Sequence, residues 1–184
     1  MIYTFIPYSI RKDLGGEYNK FMRLLPNDND FAALLDHDCM FTDYDWYKRL
    51  EDYIRIYPEC GCFVARANRL GCLWQRTFNE GSKEWKNNNI AFHRRYSKKL
   101  IKKHPQVLDV SEVDPGDVMG GVLIMIKKSL WRKALGFKAG EILGVDNDMH
   151  WRLQKLKEKV YMMESIYLYH WYRGGNREDK SHLL

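Results

Sequence analysis

Five consecutive apolar residues, Phe31-Ala32-Ala33-Leu34-Leu35, stop abruptly at Asp36-His37-Asp38. A strand that is apolar at both alternating sets of positions has no face to give to water, so it belongs inside a sheet covered on both sides. The rest of the chain supplies the covering. Glu17 to Leu25 places Phe21, Leu24 and Leu25 on one helical face, and Asp45 to Tyr57 spaces Trp46, Leu50, Tyr53, Ile54 and Tyr57 three to four residues apart, with Asp43 or Asp45 near its N-cap. KKSLWRKAL and MHWRLQKLKEK read as two further helices. Strand character lies at Ile2 to Ile6, where Pro7 ends it, at Cys62 to Arg66, across Val118 to Ile126 behind the paired Gly120-Gly121, and at Val160 to Tyr169. Strands alternating with helices predict an α/β fold.

The chain has 184 residues, enough for a single domain with a sizeable core and no need of disulfides. There is no internal repeat and no low-complexity tract. Residues 79–105 are the polar, basic part: NEGSKEWKNNN followed by a helix through HRRYSKKLIKKH, closed by Pro105 and read as an excursion from the core. With 30 Lys+Arg against 24 Asp+Glu the chain carries a formal +6, which suits an anionic partner without saying which. No apolar run approaches the ~20 residues of a membrane span. The opening MIYTFIPYSIRKD has neither a basic leader nor a long apolar stretch, so the expected address is the cytoplasm, with Cys39, Cys60, Cys62 and Cys72 reduced. Cys60-Gly61-Cys62 with Cys72 does not have a zinc spacing. P-loop, G-x-G-x-x-G and G-x-S-x-G motifs are all absent.

Three places carry candidate chemistry. Asp36 and Asp38, separated by one residue at the end of a buried strand, can point to one side and share a divalent cation, and the C-terminal ends of strands are where open α/β sheets bind ligands. Hard oxygen donors suit Mg2+ or Mn2+. The same triplet also fits a solvated turn. Asp146, in Gly144-Val145-Asp146-Asn147-Asp148 before a helix, is either a helix cap or a general base aimed into a cleft. His170 at a strand end is either structural or a metal ligand, and Arg173 beside Gly174-Gly175 can clamp a phosphate. The basic run at 93–104, interleaved with Trp85, Phe92 and Tyr96, is either a solvated helix face or a nucleic-acid contact.

The order of these features resembles the GT-A nucleotide-sugar glycosyltransferases, close to family 2 and the galactosyltransferase-like branch. Phe5-Ile6-Pro7-Tyr8 stands where that family has its opening I-I-P-Y strand, Gly16-Glu17-Tyr18-Asn19 where a helix precedes the metal-binding D-x-D, and Asp36-His37-Asp38 at the D-x-D itself. Gly120-Gly121-Val122, then Gly144-Val145-Asp146-Asn147-Asp148 with Arg152-Leu153, match its acceptor-side elements, and His170 its late histidine. The resemblance implies a metal-dependent transfer of a sugar from a UDP- or GDP-linked donor to a hydroxyl acceptor, with inversion. It assigns Asp36, Asp38 and His170 to Mn2+ or Mg2+ and Asp146 to the catalytic base. Pro7, Tyr8, Arg11, Asn19 and Arg173 fall to the donor, and Gly120, Gly121, Asp148 and Trp151 to the acceptor. Asp36 follows Tyr8 by only 28 residues, where family members hold a second and third strand for the nucleotide. The expected architecture is therefore a GT-A-like, Rossmann-like mixed central sheet flanked by helices, with a shortened nucleotide-binding half. A partner subunit in a homo-oligomer is one way to complete it. Val145 stands where the family commonly has Glu. From a different class, the alternative is a catalytically inactive GT-A-like module that binds carbohydrate or nucleic acid.

Overall fold

The apolar run at 31–35 is a strand in the interior of a seven-stranded sheet, and each of its residues is buried. The computed structural model describes residues 1–114 and 116–171. In chain order the elements are β1 (Ile2–Phe5), α1 (Leu14–Leu24), β2 (Phe31–Leu35), β3 (Cys39–Phe41), α2 (Trp46–Ile56), β4 (Cys62–Ala67), α3 (Ile90–Leu100), β5 (Val107–Asp109), β6 (Leu123–Lys127), α4 (Lys128–Lys133), α5 (Val145–Lys155) and β7 (Val160–His170). A short 3-10 turn, Ile101–Lys103, follows α3.

The sheet runs β1-β2-β6-β4-β7-β3, with β5 also on β7. It is mixed: β1 is parallel to β2 and β4 to β7, whereas β6 runs antiparallel to both β2 and β4. Long β7 uses one edge twice. Its first half takes β5 at Met163↔Val107, and its last residues take β3 at His170↔Cys39. Alternation along the strands divides the core. Ala32, Leu34, Cys62, Val64, Ile124, Ile126 and Met162 face Tyr18, Met22, Trp131, Met149 and Leu153 from α1, α4 and α5. Phe31, Ala33, Leu35, Phe63, Ala65, Met125 and Met163 face Leu50 and Tyr53 of α2. Fully burying one such aliphatic or aromatic side chain contributes roughly 1.5–3 kcal/mol, so a continuous apolar strand is stable only with both layers present.

Several boundaries differ from the sequence expectation, each for a local reason. Helix α1 starts at Leu14 rather than Glu17 because Asp13 caps it: its Oδ1 accepts from Gly16 N at 2.7 Å. Gly15, ahead of the helix start expected at Glu17, lies inside this helix, where a Cβ would come within 1.8 Å of the Lys138 carbonyl oxygen. Residues 118–122 do not extend the strand expected there, which begins at Leu123. The backbone groups of Met119 and Gly120 are taken by side chains instead of by a neighbouring strand. Strands β3 and β5 are short and partly exposed, and carry no apolar alternation for a sequence reading to find.

The basic 79–105 segment contains the expected helix, α3, with Asn89 Oδ1 accepting from Phe92 N at 3.2 Å as its cap. It docks on the sheet rather than departing from it. His93 and Ser97, one turn apart, are its buried positions, and the His93 imidazole reaches Tyr167 Oη of β7 at 2.7 Å and the Asn87 carbonyl at 2.8 Å. Arg95, Lys98 and Lys99 are left on the exposed face. Among the described residues no helix is long and apolar enough to cross a membrane. All four cysteines are free.

Candidate functional site

Strand β2 ends by handing Asp36 to a tight turn. Asp36 N still donates to Val122 O at 3.1 Å, continuing the ladder toward β6, and Cys39 N then closes the turn on Asp36 O at 3.1 Å. This reversal, not strand alternation, brings the two carboxylates to one side: residues 37 and 38 are turn residues. One ligand atom from each of Asp36, His37 and Asp38 lies within 4.8 Å of the others. The chain leaves the turn as β3, antiparallel to the end of β7, and that pairing sets His170 against Asp38.

His170 is buried and held on three sides. Its backbone N–H donates to Asn68 Oδ1 at 2.7 Å, its Nδ1 lies 2.6 Å from Arg69 O, and its Nε2 lies 3.3 Å from Asp38 Oδ1. A carbonyl oxygen only accepts, so Nδ1 carries a proton and Nε2 is the nitrogen turned to the carboxylates. This is the arrangement by which an imidazole is oriented for a metal. Cys39 also falls within 4.8 Å of Asp38 and His170, an association the sequence reading did not foresee. Burial, then the charges of Asp38 and Asp36, push its thiol well above the usual range, so it stands as a neutral neighbour.

Asp146 sits in the first turn of α5, after Gly144 in a left-handed conformation (φ +75°). Its Oδ1 accepts from its neighbour Asn147 N at 3.0 Å. Gly121 lies close against its carboxylate: a Cβ there would stand 3.2 Å from Asp146 Oδ2, tight enough that the carboxylate would have to shift. The segment before it is fixed from all sides. His150 Nδ1 accepts from Met119 N at 2.9 Å, Asn147 Nδ2 donates to Met119 O at 3.1 Å, and Gln75 accepts from Gly120 N at 2.6 Å while donating to Gly120 O at 3.2 Å.

These residues line a cleft of about 490 Å³, within the range of small-molecule sites. Asp36, His37, Asp38 and His170 share its lining with Gly120, Gly121, Asp146 and Asn147, and Leu70, Val118 and Leu143 are among the apolar residues there. The three carboxylates are unequal. Burial, then the Asp38 charge, raises Asp36 above the ordinary carboxylate value, and burial also raises Asp146, with Asp36 adding to it against the backbone hydrogen bonds. Asp38 feels burial too, but its hydrogen bond to His170 and the charges of His170 and His37 outweigh it and hold it below the ordinary value. Behind them, buried Tyr18 of α1 is pushed far upward by burial and then by Asp36 and Asp146, so its phenol stays neutral. Two overlapping groups of possible ligands, Asp36 with His37 and Asp38, and Asp38 with Cys39 and His170, could therefore hold a divalent cation, and Asp38 belongs to both.

Of the residues singled out in the sequence, Asp36, Asp38, His170, Gly120, Gly121 and Asp146 therefore meet in one cleft. Asp148 lies in the same first turn of α5 as Asp146 but forms an ion pair with Arg152, and Trp151 is a partly exposed residue of the same helix outside the cleft lining. Pro7 is buried after β1, while Tyr8 and Arg11 are exposed; the Tyr8 ring stands edge-on to that of His37, a cleft-lining residue, at a centroid distance of 6.4 Å. Asn19 does not face the cleft. Its Nδ2 donates to Phe137 O and its Oδ1 accepts from Trp131 Nε1 and Phe137 N, all at 2.8 Å, so its polar atoms tie α1 to the turn after α4. Arg173 lies outside the described residues. Sequence reasoning gave no role to His37, Tyr18, Cys39, Gln75, Asn147 or His150. His37, Asn147 and Tyr18 carried a local signal, their places inside motifs already singled out, whereas Cys39, Gln75 and His150 carried none. No protein-family model matches the chain, and no curated protein is found to be similar to it.

Proposed function

We propose that the cleft is the active site of a metal-dependent, GT-A-like glycosyltransferase that moves a sugar from a nucleotide-sugar donor to a hydroxyl acceptor. The single observation that carries this reading is the convergence of Asp36, Asp38, His170 and Asp146 in the lining of one cleft. Motif order supports it as well, since the elements resembling the family's appear in the family's sequence along the chain. The short path from β1 to β2, through α1 alone with the two strands directly paired, agrees with a shortened nucleotide half.

Asp36, Asp38 and the His170 Nε2 are the groups that would hold Mn2+ or Mg2+, and the cation supplies charge neutralisation for a departing nucleoside diphosphate. Asp146 takes the proton of the acceptor hydroxyl. Its raised proton affinity, caused by burial and then limited by backbone hydrogen bonds, suits a general base near neutral pH better than an ordinary surface carboxylate does. Gly120 and Gly121 let sugar and backbone approach closely. With Asp146 as base, and by analogy with the family 2 branch that the motif order resembles, the reaction is a single displacement with inversion. Tyr8 and His37, whose rings meet edge-on, offer ring surfaces for a nucleobase.

The test is Mn2+-dependent binding and slow hydrolysis of a panel of UDP- and GDP-linked sugars, in the wild-type protein and in Asp38→Asn. The expected result is one donor that binds only with metal and loses binding in the variant. Absence of binding by every donor at millimolar concentration, with the protein folded, would overturn the reading.

A further inference from the structure

We infer that Gln75 is a positioning residue for Asp146, acting through the Met119-Gly120-Gly121 backbone. The inference rests on the reading of Asp146 as a base, and it adds a residue that lies far from Asp146 in sequence.

Gln75 is fully buried, and both ends of its amide are used. Oε1 accepts from Gly120 N at 2.6 Å, and Nε2 donates to Gly120 O at 3.2 Å and to Ala65 O of β4 at 2.9 Å. One side chain thus holds both peptide groups of a glycine and fastens them to a central strand. The preceding residue is held in the same manner. Met119 N donates to His150 Nδ1, whose Nε2–H is directed at Val110 O at 2.9 Å, and Met119 O accepts from Asn147. A residue with no side chain has the widest backbone freedom, and nothing intrinsic to Gly120-Gly121 keeps this segment in one conformation. Four side-chain hydrogen bonds to two consecutive residues are more than a surface connection needs.

The two residues after the clamp explain its use. Gly121 packs against the Asp146 carboxylate, where a Cβ would stand 3.2 Å from Oδ2, and Val122 O accepts from Asp36 N at 3.1 Å. The clamped segment therefore runs from the Asp146 carboxylate to the end of β2 that carries Asp36. Its position sets the separation between the carboxylate expected to take a proton and the carboxylates expected to hold the cation. A base displaced by about 1 Å can cost on the order of 10²-fold in rate, so a rigid frame at this point has a functional reason that core packing alone does not supply.

The experiment compares wild type with Gln75→Leu, and with Gln75→Met as a second variant in case the first fails to fold. The readouts are the ¹³C NMR titration of Asp146 and amide exchange at Gly121. The titratable groups facing Asp146 are Asp36 from the end of β2 and Tyr18 from α1, and both are unchanged in these variants. The Gly121 backbone beside the carboxylate holds its pKa down, so letting that peptide drift is expected to raise the midpoint by about half a pH unit or more, with faster exchange at Gly121. Asp30, at the other end of β2, is expected to titrate as in wild type. Where turnover is measurable, kcat is expected to fall about 10-fold or more with donor KM unchanged, and the acid limb of the pH profile to move to higher pH. An Asp146 midpoint identical to wild type in a folded variant overturns the inference, as does an equal displacement of Asp30, which would report general loosening. Because titration and exchange need no substrate, this result stands apart from whether the wild-type protein transfers sugar at all.

Discussion

His170 Nε2 lies 3.3 Å from Asp38 Oδ1, and the Arg69 carbonyl, at 2.6 Å from Nδ1 on the far side of the ring, sets which nitrogen faces the carboxylate. The pairing of β3 with β7 makes this contact, joining a turn early in the chain to the end of its last described strand. If the contact is half of a cation site, its supports should matter nearly as much as its ligands. Asn68→Ala removes the acceptor of the His170 backbone N–H and is expected to weaken Mn2+ binding by roughly 10- to 100-fold, as supporting residues of metal sites do. Calorimetric titration of Mn2+ into the folded variant measures this; an unchanged affinity would mean that Asn68 supports the strand end and not the ligand.

Asn19 separates the resemblance from the geometry. The family analogy gives it to the donor, yet its three hydrogen bonds all go to Trp131 and Phe137. Asn19→Ala would leave buried donors and an acceptor unpaired, so the expected cost is about 2–4 kcal/mol of stability. In the fraction that remains folded, donor affinity should equal that of wild type. Urea denaturation alongside nucleotide-sugar binding distinguishes the two roles, and weaker binding without destabilisation would return Asn19 to the donor site.

Two glycines predict opposite kinds of damage. At Gly121 an added Cβ meets Asp146 Oδ2 at 3.2 Å, a contact that a small displacement of the carboxylate relieves. Gly121→Ala should therefore leave the melting temperature close to wild type and lower turnover about 10-fold or more, since moving the base is costly to rate. At Gly15 the added Cβ meets the Lys138 backbone oxygen at 1.8 Å, inside α1 where neither partner yields easily. Gly15→Ala should destabilise by about 3 kcal/mol or more. Thermal melts and initial rates on the pair check both claims, and a Gly15→Ala protein as stable as wild type would contradict the packing described for α1.

Stability should fall in mild acid, for a reason located in two histidines. Burial lowers the pKa of both His93 and His150 from the ordinary value of 6.5; the Asn87 carbonyl and Arg69 also act on His93, and the Val110 carbonyl on His150. A base whose folded pKa is depressed binds more protons when unfolded. Its contribution is complete above about pH 6.5 and is lost progressively as the pH falls below that value. Asp36 and Asp146, whose folded values are raised, act in the opposite direction over their own range. His93→Gln, remote from the cleft, should flatten the dependence between pH 6.5 and 5 by up to ~1.4 kcal/mol per pH unit. Denaturation curves across that interval test it, and an unaltered slope would assign the acid sensitivity elsewhere.

By itself the sequence determined a mixed α/β fold with a sheet covered on both faces, and the point where its buried strand ends in carboxylates. A strand with no polar position, Phe31–Leu35, demands two covering layers whatever else the chain does, and the helical spacing of Leu50, Tyr53 and Tyr57 supplies part of one. The abrupt change to Asp36-His37-Asp38 marks a strand end, because charged groups cannot follow the strand into the core. Local patterns of that kind are set by neighbours within a few residues, so they are legible without coordinates. What only the tertiary structure decided is everything fixed by partners far along the chain. Residues 118–122 look like strand and are loop, because Gln75, Asn147 and His150 take the hydrogen bonds a strand would have used. Asn19 looks like a ligand contact and is a tie between α1 and the turn after α4, because Trp131 and Phe137 reach its amide first. Asp36 and Asp38 converge through a turn rather than through strand alternation, and they meet His170 only because β3 folds back along β7. A buried amide or imidazole spends its hydrogen bonds on whatever the fold brings within 3 Å, and residue type and spacing carry no record of which partner that is.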